Sequence, residues 1–270
     1  MLRIMFWNAG RAPLDAIAQI AESERVDILA LAEPAHTLTS YLLALNGRND
    51  RPPFLASPSH CRRISLYARL PGESLSTVSD SQHMTIRLIT LPIGAPFLLV
   101  CAHLRSKLYQ DTESQKASLF PVAQEIRSAE VRAGLDRTVL VGDLNADPYE
   151  TALVAALGFH GVMTRERAER GDRVVEGRRY PFFYNPMWSF FGDLSAGPPG
   201  TYHYARAEQV VPFWHCFDQV LLRPAMLEHF RQDSIRIVTR TKTLNLADEA
   251  GYPNAAEFSD HFPIVLALHI

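Results

Sequence analysis

The stretch "TVLVGDLNADPYE", residues 138–150, places polar side chains directly after an apolar run. The apolar run predicts a buried strand, and Asp143, Asn145 and Asp147 then occupy every second position. Alternate side chains of an extended chain point to one side, so we expect Asp143 and Asn145 to reach the same site. Asp147 stands before Pro148 and a short helix predicted from about residue 149 to 157, and we expect it to cap that helix.

The composition predicts one folded domain that spans residues 1–270. The 270 residues are 47% hydrophobic and 21% charged, which is enough apolar material for a sizeable core. The net charge of −2 excludes a protein that coats nucleic acid through overall positive charge, so any phosphate partner must be held locally. The chain has three cysteines, and this odd number argues against a disulfide framework and for a reducing compartment.

The apolar segments are too short for export or for a membrane span. The N-terminal run has four residues before Asn8, which is shorter than the apolar core of a signal peptide. Elsewhere no stretch approaches the roughly 18 apolar residues that a spanning helix needs. The sequence therefore predicts a cytoplasmic protein without stable membrane association.

The hydrophobic pattern predicts a mixed α/β protein. Residues 2–8 and 26–34 indicate buried strands, and the amphipathic helix predicted at 14–25 between them makes the pair parallel. Residues 62–70, 83–91 and 97–104 are three further strand-like runs, which we expect to form an antiparallel meander. With a helix predicted at 119–133, the elements indicate two packed sheets with helices outside.

Polar residues stand where the predicted strands begin or end. They are Asn8, Glu33, His103, Asp143, Asp260 and His261. Each residue taken alone could be a turn residue or a hydrogen-bonded strand end. A separate explanation of this kind would be needed for every strand, so the set as a whole favours a functional site. Asp218 lies inside the apolar run "CFDQVLL", where a carboxylate needs a partner, and a histidine would serve.

The oxygen-bearing members of this set predict a metal site. Asn8, Glu33, Asp143 and Asp260 form a donor set that suits Mg²⁺ or Mn²⁺. No cysteine takes part, which argues against zinc. With histidines nearby, the set is typical of enzymes in which water attacks a phosphoryl group.

Seven motifs in this order resemble the endonuclease/exonuclease/phosphatase superfamily. They are "FWN", "LAEP", "CAHL", "VGDLNADP", "TYHY", "FDQVLL" and "SDHFP", and they extend over essentially the whole chain. The superfamily includes DNase I, exonuclease III-type AP endonucleases, inositol-polyphosphate 5-phosphatases and neutral sphingomyelinases. The resemblance implies an α/β (α+β) fold, a four-layer αββα sandwich in which two mixed sheets pack face to face.

The resemblance also implies roles for the metal ligands. Glu33 would be the main ligand, with Asn8 beside it and Asp260 close to the metal. Two positions depart from the superfamily pattern, since Ala32 replaces a common glutamine and Cys216 replaces a common arginine. Neither departure removes a predicted ligand, so we expect an active enzyme.

The catalytic roles come from the same resemblance. Asp143 and Asn145 would orient or deprotonate the attacking water and hold the phosphate. His261, steadied by Asp218, would act as the base or as a donor to the phosphate, and the sequence leaves the base assignment open between His261 and Asp143. His103 would stabilise developing charge or protonate the leaving group.

Local sequence favours nucleic acid as the substrate. Arg105 and Lys107 follow His103, and Tyr202 is one of several aromatic residues that could stack on bases. The alternatives are a phosphatase of inositol phosphates and a phospholipase C-type enzyme, for which the apolar segment 182–191 is a candidate membrane hairpin. A non-catalytic binding module is a lesser alternative.

Overall fold

The structure, a computed structural model, describes residues 1–47, 51–106, 112–207, 209, 211–231 and 233–270. The strands in this part of the chain are β1 (Leu2–Asn8), β2 (Ile28–Ala32), β3 (Leu55–Ser57), β4 (Ile64–Ala68), β5 (Leu75–Asp80), β6 (Met84–Ile89), β7 (Phe97–His103), β8 (Thr138–Asp143), β9 (Gly161–Val162), β10 (Asp172–Val175), β11 (Arg178–Pro181), β12 (Phe183–Tyr184), β13 (Tyr202–His203), β14 (Trp214–His215), β15 (Asp218–Leu222), β16 (Ile235–Ile237) and β17 (Ile264–Leu268). The α-helices are α1 (Leu14–Ser23), α2 (Leu38–Asn46), α3 (Thr112–Ala133), α4 (Thr151–Val154) and α5 (Arg165–Ala168).

The first sheet has six strands in the order β16-β17-β1-β2-β4-β3. β1 and β2 are parallel, as the helical connection between them predicted. β4 pairs antiparallel with β2. The prediction that β4, β6 and β7 form one meander was therefore wrong, because β4 belongs to this sheet and the other two strands do not.

The second sheet has seven strands in the order β5-β6-β7-β8-β15-β12-β9. β6 and β7 are antiparallel, which confirms that part of the predicted meander. The strand on the other side of β6 is β5, whose mixed and partly exposed side chains gave no clear strand pattern. β7 and β8 are parallel.

The side chains of β7 alternate between two hydrophobic cores, one on each face of the second sheet. Leu99 and Cys101 belong to the core that also contains residues of the first sheet and α1. Leu98 and Val100 belong to a second core with α3, where Ile126 is fully buried. The layers are therefore helix, sheet, sheet, helix, which confirms the four-layer αββα sandwich.

Helix lengths differ from the sequence-based predictions. α3 begins at Thr112, earlier than predicted, and continues through Pro121. α4 covers only Thr151–Val154 instead of about nine residues. Among the described helices, none is long and apolar enough to span a membrane.

The apolar segment 182–191 is not an exposed hairpin. Phe182, Phe183, Met187 and Phe190 are buried, and the segment contributes to both cores. The membrane hairpin considered for this segment was therefore a wrong prediction. Its buried apolar side chains pack in the two hydrophobic cores.

Gly142 lets β7 and β8 approach closely just before the polar end of β8. A Cβ at Gly142 would lie 2.2 Å from the carbonyl oxygen of Ala102, its partner in the parallel register. We expect Gly142→Ala to lower the free energy of unfolding by about 1–3 kcal/mol, measured by urea denaturation. Gly72→Ala is the control, because a Cβ there meets no described atom within 4 Å; equal stability of both variants would contradict the prediction.

Candidate active site

The polar strand ends converge at one end of the two sheets. Asn8 ends β1 of the first sheet, while His103 ends β7 and Asp143 ends β8 of the second. The parallel register pairs His103 with Asp143, and the antiparallel register pairs Asp143 with Asp218 at the start of β15. Strand pairing alone therefore brings together residues that are far apart in sequence.

A cleft of about 510 Å³ opens at this end of the sandwich. Its described lining consists of Asn8, Glu33, His103, Ser106, Asp143, Asn145, Tyr202, Tyr204, Val211, Pro212, His215, Phe217, Asp260 and His261. The predicted metal ligands and all the predicted catalytic residues except Asp218 line this cleft. Asp218 lies behind it, fully buried.

Asp143 is the centre of the hydrogen-bond network. Its Oδ1 accepts a bond from the Asn145 backbone N–H at 2.9 Å, and its Oδ2 accepts one from Asn8 Nδ2 at 3.0 Å. Asn145 Nδ2 donates in turn to the Leu104 carbonyl at 3.1 Å. Both oxygens of the buried Asp143 carboxylate are thus fixed in position.

His261 and Asp218 form a hydrogen-bonded pair beside Asp143. His261 Nδ1 lies 2.7 Å from Asp218 Oδ2, and His261 Nε2 lies 4.0 Å from Asp143 Oδ2. The pairing predicted for the carboxylate of Asp218 is therefore present. Trp7 Nε1 donates to the His261 carbonyl at 2.9 Å, which also fixes the backbone of His261.

His103 and Glu33 also lie close to Asp143. His103 Nε2 lies 3.6 Å from Glu33 Oε1 and 3.8 Å from Asp143 Oδ2. Glu33 has a left-handed backbone with φ of 51°, and Asn145 has φ of 48°. Such conformations are costly for residues other than glycine and occur often at functional sites.

Burial and mutual charge perturb the titration of the central residues. Burial raises the pKa of Asp143, while His261 and His103 oppose that rise. Burial alone would lower the pKa of His261, but Asp218, Asp143 and Asp260 raise it to about 10. Strongly perturbed groups in a cleft are typical of functional sites.

The donor set fits a hard divalent cation. The bond from Asn8 Nδ2 to Asp143 leaves the amide oxygen of Asn8 as a ligand atom, and Glu33 and Asp260 bring exposed carboxylates to the cleft. Asp143, Asp218 and His261 also offer atoms within 4.8 Å of one another. We interpret Asp218 and His261 as a hydrogen-bonded pair beside Asp143 and not as metal ligands, because the bond to Asp218 already uses His261 Nδ1.

Two buried polar atoms of the site lack a hydrogen-bond partner among the described residues. They are His103 Nδ1 and Asp218 Oδ1. A buried polar atom without a hydrogen-bond partner destabilises the folded state. Such atoms are therefore expected at a site where a ligand or an ordered water supplies the missing partner.

The two predicted substrate contacts have different positions. Tyr202 lines the cleft, and its ring centroid lies 4.8 Å from that of His261. Arg105 is exposed, donates to His83 Nε2 at 3.3 Å, and is absent from the described lining. Lys107 lies outside the described residues.

Asp147 does not cap α4, so that prediction was wrong. The N-cap is Glu150, and the buried Asp147 carboxylate instead lies 2.7 Å from His215 Nδ1 and accepts the Cys216 backbone N–H at 2.8 Å. His215 was not among the site residues predicted from the sequence. The signal was the equal spacing of Asp147 with Asp143 and Asn145, but Asp147 was predicted to be a helix cap.

Solved structures of known proteins share this fold. An AP endonuclease from Archaeoglobus fulgidus matches with a TM-score of 0.58 and 13% identity over 100% of both chains. The 3′ phosphatase NExo from Neisseria, bound to a product DNA hairpin, matches at 0.57 and 14% identity over 99% of both chains. An endonuclease/exonuclease/phosphatase family protein from Bacteroides thetaiotaomicron matches at 0.53 and 13%, covering 99% of this chain and 97% of that one.

This chain has the endonuclease/exonuclease/phosphatase fold. The fold predicted from the seven motifs is thereby confirmed. No protein-family model and no curated protein sequence matches the chain. One fold can support different activities, so the function must be argued from the cleft described above.

Proposed function

We propose that this protein is a divalent-metal-dependent phosphodiesterase that hydrolyses nucleic acid. The observation that carries the proposal is the arrangement around Asp143. A fixed carboxylate, an aspartate-bound histidine and oxygen ligands share one open cleft. These parts supply what attack of water on a phosphate requires: a proton acceptor, donors to the phosphoryl oxygens and a cation.

Asp143 accepts the proton of the attacking water. Its two oxygens are held by Asn145 and Asn8, so the acceptor needs no reorganisation when water arrives. His261 receives its orientation from Asp218 and presents Nε2 to the phosphoryl oxygens. His103, which lies near both Glu33 and Asp143, stabilises the developing charge of the phosphate or donates to the leaving oxygen.

Glu33, Asn8 and Asp260 would hold the cation, Mg²⁺ or Mn²⁺. When bound, such a cation neutralises phosphate charge and stabilises the charge that develops during displacement. Replacing Glu33 would test metal binding without disturbing the hydrogen bonds around Asp143. The Glu33 side chain is exposed, and its Oε1 lies 3.6 Å from His103 Nε2, beyond hydrogen-bond distance.

Removal of divalent metal is expected to abolish activity. We expect EDTA to stop hydrolysis and Mg²⁺ or Mn²⁺ to restore it, and Glu33→Gln to raise the half-saturating Mg²⁺ concentration roughly tenfold or more, since one anionic ligand is lost. A Mg²⁺ titration of the rate measures both effects. Glu249→Gln, at an exposed site outside the described cleft lining, is the control. Full activity in EDTA would contradict the metal role.

Support for nucleic acid comes from the aromatic wall of the cleft and from relatives. Tyr202 and Phe217 stack at 5.4 Å beside His261, and flat rings are suited to contact bases. The NExo structure contains a DNA hairpin, and another structure with this fold is an AP endonuclease. The buried state of segment 182–191 removes the one feature that favoured a lipid substrate.

Substrate choice is tested with three compounds in Mg²⁺. We expect cleavage of plasmid DNA and of a single-stranded oligonucleotide, and no release of inorganic phosphate from inositol phosphates. Phosphate release without cleavage of either nucleic acid would favour the phosphatase alternative. No activity on any of them would favour the non-catalytic module.

A further inference from the structure

The cleft contains a second histidine–aspartate pair, which the proposed mechanism does not use. His215 Nδ1 lies 2.7 Å from Asp147 Oδ2. The Asp147 carboxylate is held independently, since it also accepts the Cys216 backbone N–H at 2.8 Å and the Tyr149 hydroxyl at 3.1 Å. The Asp147 carboxylate accepts the hydrogen bond of Nδ1–H, which leaves Nε2 for a ligand, and in the protonated ring Nε2–H is a donor to an anion.

The backbone and ring of His215 are held in place. A Cβ at Gly200 would lie 2.5 Å from the His215 carbonyl oxygen, so only glycine allows this close approach. Thr201 donates its backbone N–H to the same oxygen at 2.8 Å. The imidazole stacks on Phe217 at 4.6 Å between ring centroids. With 14% of its side chain exposed, His215 is a preorganised group at the cleft surface.

His215 lies beside the Asp143 centre but outside it. The ring centroid of Tyr202 is 4.8 Å from that of His261 and 6.3 Å from that of His215, so one tyrosine contacts both histidines. His103 and His261 both approach Asp143 to 4.0 Å or less, and the described contacts of Asp143 do not include His215. A group bound at His215 is therefore a neighbour of the reacting phosphate.

The charge of the cleft indicates what that group is. The described lining contains no lysine or arginine, so histidines are the lining side chains that can bring positive charge to an anion. His103 and His261 serve the phosphate at Asp143, which leaves His215. We propose that His215, oriented by Asp147, binds the phosphate that flanks the diester being cleaved. The assignment rests on the proposed function and narrows the substrate to nucleic acid with at least two consecutive phosphates.

The test compares a substrate that has a flanking phosphate with one that lacks it. The dinucleotide TpT has one phosphate, whereas TpTpT has two. We expect His215→Gln to raise KM for TpTpT roughly tenfold or more, as for loss of a hydrogen bond to a charged group, and to leave kcat/KM for TpT within about threefold. Asp147→Asn is expected to have the same selectivity, because it acts through His215.

His203→Gln is the matched control for this experiment. His203 is on β13, the strand that pairs with the one carrying His215, but it stacks on Tyr252 at 3.7 Å and is not in the described lining. We expect His203→Gln to change neither the KM for TpTpT nor the kcat/KM for TpT. Equal losses on TpT and TpTpT for His215→Gln would overturn the assignment, since that is the result of a purely structural role, and so would no loss on either compound.

A binding measurement separates the two proposals. Fluorescence anisotropy of a labelled oligonucleotide in EDTA reports binding without turnover. We expect His215→Gln to reduce the slope of log affinity against log salt by about 0.7, the value for one lost phosphate contact on a single strand. An unchanged slope would contradict the contact between His215 and a phosphate but not the proposed function. Failure of the wild type to cleave either TpT or TpTpT in Mg²⁺ would contradict the proposed function.

Discussion

Asp143→Asn is expected to lower kcat for DNA cleavage by about 10³-fold, within the 10²–10⁴ range for loss of a proton-transfer group. The amide keeps the shape of the carboxylate and can still accept the Asn145 backbone N–H, but it cannot take a proton from water. KM should change much less, because the substrate contacts remain. Steady-state kinetics on a single-stranded oligonucleotide measures both constants.

The fold of Asp143→Asn serves as the control for this prediction. Burial raises the pKa of Asp143, and the nearby Asp218 opposes its ionisation further, so the charge costs stability. We expect a melting temperature equal to or above that of the wild type, as at other sites where function is favoured over stability. An Asp143→Asn variant with wild-type kcat would contradict the proton-accepting role.

Asp218→Asn is expected to lower kcat by about 10²–10⁴-fold, although Asp218 does not line the cleft. The Asp218 carboxylate accepts the hydrogen bond from His261 Nδ1. Asparagine removes the negative charge that contributes most to raising the pKa of His261, so the ring would lose the positive charge that it brings to the phosphoryl oxygens. His261→Gln should have a similar effect, measured by the same kinetics.

The double variant decides whether the pair acts as a unit. We expect Asp218→Asn combined with His261→Gln to be no slower than the worse single variant, since removing either partner disables both. Asp80→Asn is the matched control: its side chain is 6% exposed and pairs with Arg87 away from the cleft, so it should lower stability and leave kcat unchanged. Multiplicative losses in the double variant would argue against a coupled pair.

The layers and the centre of the site could be predicted because they depend on patterns within short segments of sequence. A continuous apolar run followed by one polar residue indicates a buried strand and its end, as for Asn8 and Asp143. Parallel pairing then brings such ends together. Asp218 and His261 reach the same end because Asp218 begins β15 and His261 precedes β17, and these strands are antiparallel to β8 and β1 respectively.

The remaining features depend on contacts between distant segments. β4 pairs with β2, whose nearest paired residues, Ala32 and Ile64, are far apart in the chain, and nothing in the sequence of β4 distinguishes that partner from β6. Asp147 has the sequence context of a helix cap, but its partners His215 and Cys216 are about 70 residues away. A single-domain organisation over residues 1–270 stays a prediction.

The most direct test is hydrolysis of an end-labelled single-stranded oligonucleotide by purified protein. Wild type is assayed in Mg²⁺ and in EDTA, beside Asp143→Asn in Mg²⁺. We predict cleavage by wild type in Mg²⁺ and loss of nearly all cleavage in the other two reactions. Equal cleavage in all three, or none by wild type in Mg²⁺ or Mn²⁺ on DNA and RNA, would contradict a metal-dependent phosphodiesterase centred on Asp143.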